Sequence, residues 1–157
     1  MSLPHLLLLD FALAAYLTGL VWVVQLVTYP ALGLVGRAEF GRYHAAHTRG
    51  MGWVVAAPMV AELALAGWLA WAAWHPLGPG FALGQAALVA LVWLVTFFVS
   101  VPFHNRLGAQ GFDYVAIDGL TRTNWLRTLA WTARLLWLGA VLWAGGSFSP
   151  TLIPASA

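Results

Sequence analysis

Four long apolar stretches run along the chain, each close to the roughly 20 residues that an α-helix needs to cross a bilayer's hydrocarbon. They cover about 6–29, 52–74, 81–103 and 125–145. The charges inside them are few: Asp10, Glu62, Arg127 and Arg134. Between the stretches the chain turns polar. Segment 36–50 carries Arg37, Glu39, Arg42 and Arg49, and segment 105–124 carries Arg106, Asp113, Asp118 and Arg122. The middle break, His75-Pro76-Leu77-Gly78-Pro79-Gly80, ends a helix because Pro cannot donate the next hydrogen bond and Gly favours turns. The pattern predicts an all-α chain folded as an integral membrane four-helix up-down bundle, one transmembrane domain over 1–157.

Orientation follows from the arginines, since short loops rich in positive charge stay cytoplasmic. Both Arg-bearing connections therefore face the cytoplasm, with 36–50 as an amphipathic segment there and both termini outside, in a multi-pass protein of the cell inner membrane. Trp53 and Trp125 then fall at the inner interface and Trp74 and Trp143 at the outer one, whereas Trp22, Trp93 and Trp131 lie deeper. The first stretch lacks the basic start and small-residue cleavage site of a signal peptide, so it is expected to remain as a span.

Composition agrees and removes several function classes. The chain is 62% hydrophobic and only 8% charged, far below the roughly 25% charged residues of soluble domains. All seven cations are arginines and the net charge is +2. They are scattered, which excludes the dense basic face that nucleic acid requires. The absence of Cys excludes disulfides, Cys-ligated zinc, iron–sulfur clusters and thiol redox chemistry. The expected partners are the lipid bilayer and an apolar small molecule, with homo-oligomerisation open.

An ionisable side chain in mid-span costs about 2.5 to 3.5 kcal/mol on the insertion scale, so each such residue needs a partner or a task. Glu62 and Arg134 each lie about nine residues into their stretches from the inner end, at matched depth and with opposite sign, which predicts a buried pair. Asp10 is expected to reach the outer interface.

The remaining polar residues gather toward the cytoplasmic ends. On a helix, Phe40, Tyr43, His44, His47 and Met51 share one face, bringing two imidazoles inward. Pro102-Phe103-His104-Asn105 closes the third stretch, where the proline is expected to kink or end the helix. Gln25 stands one turn before Tyr29, and Asn124, Arg127, Trp131 and Arg134 form a stripe on the fourth stretch. Almost nothing polar occupies the outer half, so a pocket opening to the cytoplasmic side is expected rather than a pore through both leaflets.

Three chemistries suit this set. Glu62 with His44, His47 and His104 could bind a metal ion. Haem could take His44, His47 or His104 as axial ligands. Without any cofactor, Arg127 and Arg134 could stabilise an enolate or phenolate while Glu62 or His104 removes a proton. Glu62, His104, Arg127 and Arg134 are thus the candidate catalytic residues, and Gln25, Tyr29, Asn105, Asn124 and Trp131 the candidate substrate contacts.

Pro102-x-His104-Asn105-x-Leu107, Asn124-Trp125-x-Arg127 and Arg134 two turns later resemble the anthrone-oxygenase-like family of small four-helix bacterial membrane proteins. The matching positions are Asn105, Asn124, Trp125, Arg127 and Arg134, while His104 stands where that family often has Asn. The resemblance implies a four-helix membrane fold and, for characterised members, oxygen-dependent oxidation of a reduced polycyclic phenol to a quinone. The expectation is an oxidoreductase for an apolar aromatic or quinone-like substrate. The alternative is a non-enzymatic scaffold or ligand-binding subunit whose polar stripes lock helices, helped by small residues such as Ala66, Gly67 and Ala70 that permit close packing.

Overall fold

The computed structural model describes residues 2–144, so Gly145, the expected end of the fourth stretch, and the tail beyond it lie outside the described residues. These residues form four long helices and no strand: α1 (Leu3–Leu32), α2 (Phe40–Ala72), α3 (Pro79–Gln110) and α4 (Tyr114–Ala144). The first three are long and apolar enough to cross a membrane, with mean hydropathy of 2.0, 1.6 and 2.3 over their most apolar windows. In α4 the charges of Asp118, Arg122, Arg127 and Arg134 dilute the apolar residues.

The helices contact one another in cyclic order, α1 on α2, α2 on α3, α3 on α4 and α4 on α1. Three apolar clusters fill the interior. One joins Leu7, Leu69, Phe81 and Leu138. A second joins Leu17, Met59, Val92 and Trp131. A third joins Leu32, Phe40, Leu107 and Leu120. Of the segment expected as amphipathic, 36–50, residues 40–50 are continuous with the second apolar stretch in one helix, Phe40–Ala72, which takes up Pro58 without a break, while 36–39 form a turn.

Pro102 does not end the third helix. The chain widens into a π turn at Thr96–Ser100, and the proline then sits in the first turn of the α-helical segment that follows, where its missing N–H costs little. Helix α1 repeats the device: a π turn at Val24–Thr28 precedes Tyr29-Pro30. Both prolines are thereby absorbed without breaking their helices.

At its far end α3 stops at Gly111, whose φ of 76° disfavours any residue with a Cβ. Asp113 then caps α4, its Oδ1 accepting the N–H groups of Val115 at 2.9 Å and Ala116 at 3.3 Å. Partial desolvation works against the Asp113 charge, yet the Ala116 N–H and the Arg106 guanidinium hold its carboxyl below the usual range. Close to this corner the Phe103 ring lies against the bare backbone of Gly119, where a Cβ would come within 2.6 Å of it.

Candidate functional site

Two polar centres lie inside the bundle, and they differ in kind. In the first, Arg134 is fully buried between two carboxylates. Its Nη1 donates to Glu62 Oε1 at 2.9 Å, and its Nη2 to Asp10 Oδ1 and Oδ2 at 2.6 and 2.7 Å. Trp131 Nε1 donates to both Glu62 oxygens at 3.1 and 3.0 Å. The expected Glu62–Arg134 pair is therefore present. Asp10 corrects the sequence reading: it is fully buried as the third member, not at an outer interface. A buried carboxylate needs a cation, and the only guanidinium at its level is already inside.

The second centre begins with Arg127. An arginine has donors only, so the Asn124 oxygen must face it, and Nε and Nη2 both donate to Asn124 Oδ1. That leaves Asn124 Nδ2 to donate to Gln25 Oε1 at 2.9 Å, and Gln25 Nε2 to donate to the Thr121 carbonyl at 3.0 Å. On its other side Arg127 donates from Nη1 to Thr96 Oγ1 and from Nη2 to Tyr29 Oη at 3.3 and 3.1 Å. Tyr29 Oη lies 3.2 Å from His104 Nε2, and His104 Nδ1 lies 3.1 Å from His44 Nε2. The sequence reading had not singled out Thr96; the available signal was a hydroxyl residue in an apolar stretch six residues before Pro102.

A cavity of about 540 Å³ adjoins this second centre. Its walls are almost wholly apolar, from Leu17, Val21, Met59 and Phe97 among others, and its polar end is built by Tyr29, His104, Arg127 and Thr96. Trp131 and His47 also line it. Trp93 Nε1 and Ser100 Oγ, on two lining residues, are buried without a hydrogen-bond partner. The flank between α2 and α3 is open, since Val60 and Phe97 line the cavity yet are more than half exposed. A second cleft of about 520 Å³, lined by His44, Thr48, Asn105 and Gly108, shares His47, Met51, Val101 and His104 with the first.

The expected residues thus separate. Tyr29, His47, His104, Arg127 and Trp131 line the main cavity. Gln25 and Asn124 stand behind Arg127 and orient it rather than line the cavity. Asn105 is exposed in the second cleft. Glu62 and Arg134 line neither. The shared face on α2 also divides: Phe40 and His44 are buried, while Tyr43 is exposed and stacks on His47.

The metal expectation does not fit these residues. Glu62 is committed to Arg134 and Trp131, away from the imidazoles. His44 stacks on His104 with ring centroids 5.3 Å apart, and both nitrogens of His104 already face partners, so the lone pairs do not converge on one point. No group of three His, Asp or Glu that could hold a metal ion occurs among the described residues. The same engagement of His104 opposes an axial bond to haem.

Comparison with protein-family models, with curated proteins and with solved structures yields no match, so the chemistry rests on the residues themselves.

Proposed function

We propose that the chain spans the bilayer as a four-helix up-down bundle. In that setting it binds an apolar aromatic or quinone-like molecule, with the oxygen end of the ligand against Arg127, Tyr29 and His104. The membrane reading is supported by outward-facing Trp53, Trp71, Phe98, Leu136 and Trp143, each exposed by two thirds or more, far more apolar surface than a water-soluble monomer presents. The observation that carries the ligand reading is the composition of the cavity: almost wholly apolar walls that meet one hydrogen-bonded group, Tyr29, Thr96, His104 and Arg127. Such a space rewards a hydrophobic body and fixes a single polar group.

Arg127 supplies a fixed positive charge held by Asn124 and Tyr29, suited to stabilising a phenolate or enolate oxygen. His104 and Tyr29 supply groups that exchange protons. Oxidation of a hydroquinone-like substrate releases two protons and two electrons; these residues handle the protons, and dioxygen, as the family resemblance implies, takes the electrons. Titration of purified protein with a naphthoquinone, followed by quenching of Trp fluorescence, tests the binding step. Saturable quenching that disappears in Arg127→Met supports the reading, and quenching unaffected by that change sinks it.

The scaffold reading fits the other centre better. Asp10, Glu62 and Arg134 join three helices, are sealed from both cavities, and offer nothing to a ligand.

A further inference from the structure

The hydrogen bonds around His104 have a direction, set at one end by Arg127. Because Arg127 can only donate, Tyr29 Oη accepts from it, and the phenolic hydrogen is left to donate to His104 Nε2. A neutral His104 that accepts at Nε2 carries its hydrogen at Nδ1 and donates to His44 Nε2. His44 in turn carries its hydrogen at Nδ1. In this arrangement the Tyr29 hydroxyl hydrogen and the Nδ1 hydrogen of His104 each have an acceptor, and the His44 Nδ1 hydrogen is left at the end of the row. It joins an almost wholly apolar space to a more polar one, since Tyr29 and His104 line the first cavity and His44, with His104, lines the second cleft.

We infer that Tyr29, His104 and His44 form a proton path that carries a proton from an acidic O–H in the apolar cavity to the cleft at His44 and Asn105. The inference rests on the ligand reading above. In the transfer, the ligand O–H bond breaks as its proton joins Tyr29 Oη. The Tyr29 hydrogen passes to His104 Nε2, the Nδ1 hydrogen of His104 passes to His44 Nε2, and the Nδ1 hydrogen of His44 leaves to water in the cleft. One O–H bond and three relay bonds break, three relay bonds and one bond to water form, and no electrons change hands. The ligand is left as an anion beside Arg127. Rotation of the Tyr29 hydroxyl and exchange of the two imidazole tautomers reset the row.

The need for such a path follows from the cavity's other opening. Between α2 and α3 it meets the apolar flank of the bundle, where Val60 and Phe97 are exposed and a proton has no acceptor. His47, which lines both spaces and lies with its ring centroid 5.9 Å from that of His104, makes no hydrogen bond in the row and is the natural competitor as an exit.

An alkyl-tailed 4-nitrophenol, colourless when neutral and yellow when ionised, serves as the probe. Protein in detergent micelles is loaded at low pH, the pH is raised by rapid mixing, and the yellow colour of the bound phenol is followed against empty micelles. His44→Ala should slow ionisation by about 100-fold or more, the usual scale of a positioned proton carrier, and leave the dissociation constant within about twofold. His44→Gln, which keeps the hydrogen-bonding bulk but cannot relay, should behave alike and guards against misfolding. Free imidazole should restore the rate in His44→Ala. Binding and ionisation with unchanged rates in both His44 variants overturn the path alone, as does slowing in His47→Ala without slowing in His44→Ala. A probe that does not bind the wild-type protein overturns the ligand reading and the path with it.

Discussion

The two polar centres use the same currency, buried charge, to opposite ends. Around Arg134 the three charged members are sealed: two carboxylates flank one guanidinium, and Trp131, which also lines the cavity, holds Glu62 from its far side. Around Arg127 the partners are neutral, the charge is not cancelled, and one side borders a cavity. A cation closed in by carboxylates has nothing left to offer a ligand. A cation held by amide and hydroxyl oxygens keeps its charge for whatever enters. The comparison separates a helix lock from a binding site more sharply than residue type does, since both are built on an arginine of α4.

The largest effect should come from breaking the lock. Arg134→Met leaves two carboxylates buried without a cation and should cost about 3–5 kcal/mol, the range for breaking a buried pair from one side. Thermal or SDS unfolding in micelles would show it. Combining Arg134→Met with Asp10→Asn and Glu62→Gln should return most of that stability, and no recovery would mean that the triad is not the unit described. Next comes the approach of Phe103 to Gly119: Gly119→Ala forces the ring away and should cost about 1–3 kcal/mol, together with weaker ligand binding, because Phe103 adjoins His104.

Changes at the open centre should be smaller in stability and larger in binding. Tyr29→Phe removes one acceptor of Arg127 and one partner of His104 and should lower stability by about 1 kcal/mol. It should also weaken naphthoquinone binding by about tenfold, the equivalent of 1.4 kcal/mol. A stability loss as large as that of Arg134→Met, or unchanged binding, would erase the distinction between the centres. The smallest effect belongs to the α4 cap. The Asp113 carboxyl is held below its ordinary range in the folded chain, so its contribution is present above its unfolded pKa and lost as pH falls through the folded one. Asp113→Asn, which still caps, should flatten only this acid limb in a series of melting curves.

Much of the scaffold was legible from charge spacing alone. Helix positions followed from charge-free stretches, and the Glu62–Arg134 pairing followed from equal depth at 1.5 Å per residue. Asp10 was not, because its depth was judged from the edge of an apolar stretch; the helix starts at Leu3, which places Asp10 about two turns inside. The metal set failed for a different reason. Counting imidazoles and carboxylates says nothing of where their lone pairs point, and here they point at Tyr29, at each other and at Arg134. The cavity itself left only an indirect trace, the polar residues toward one end of the chain's apolar stretches, since its walls are ordinary apolar side chains.

The two π turns have a consequence for how the bundle can change. Each holds one residue more than an α-helical turn would: Val24–Thr28 separates Asp10 of the lock from Tyr29, and Thr96–Ser100, whose first residue accepts from Arg127, precedes His104. Losing or gaining one residue there would rotate everything beyond it by about 100° while leaving the phase of the locked end untouched. Two of the four helices thus carry a built-in slip joint, through which the cavity's polar end can be re-aimed by single-residue insertions and deletions without re-tooling the charge lock that holds the helices together.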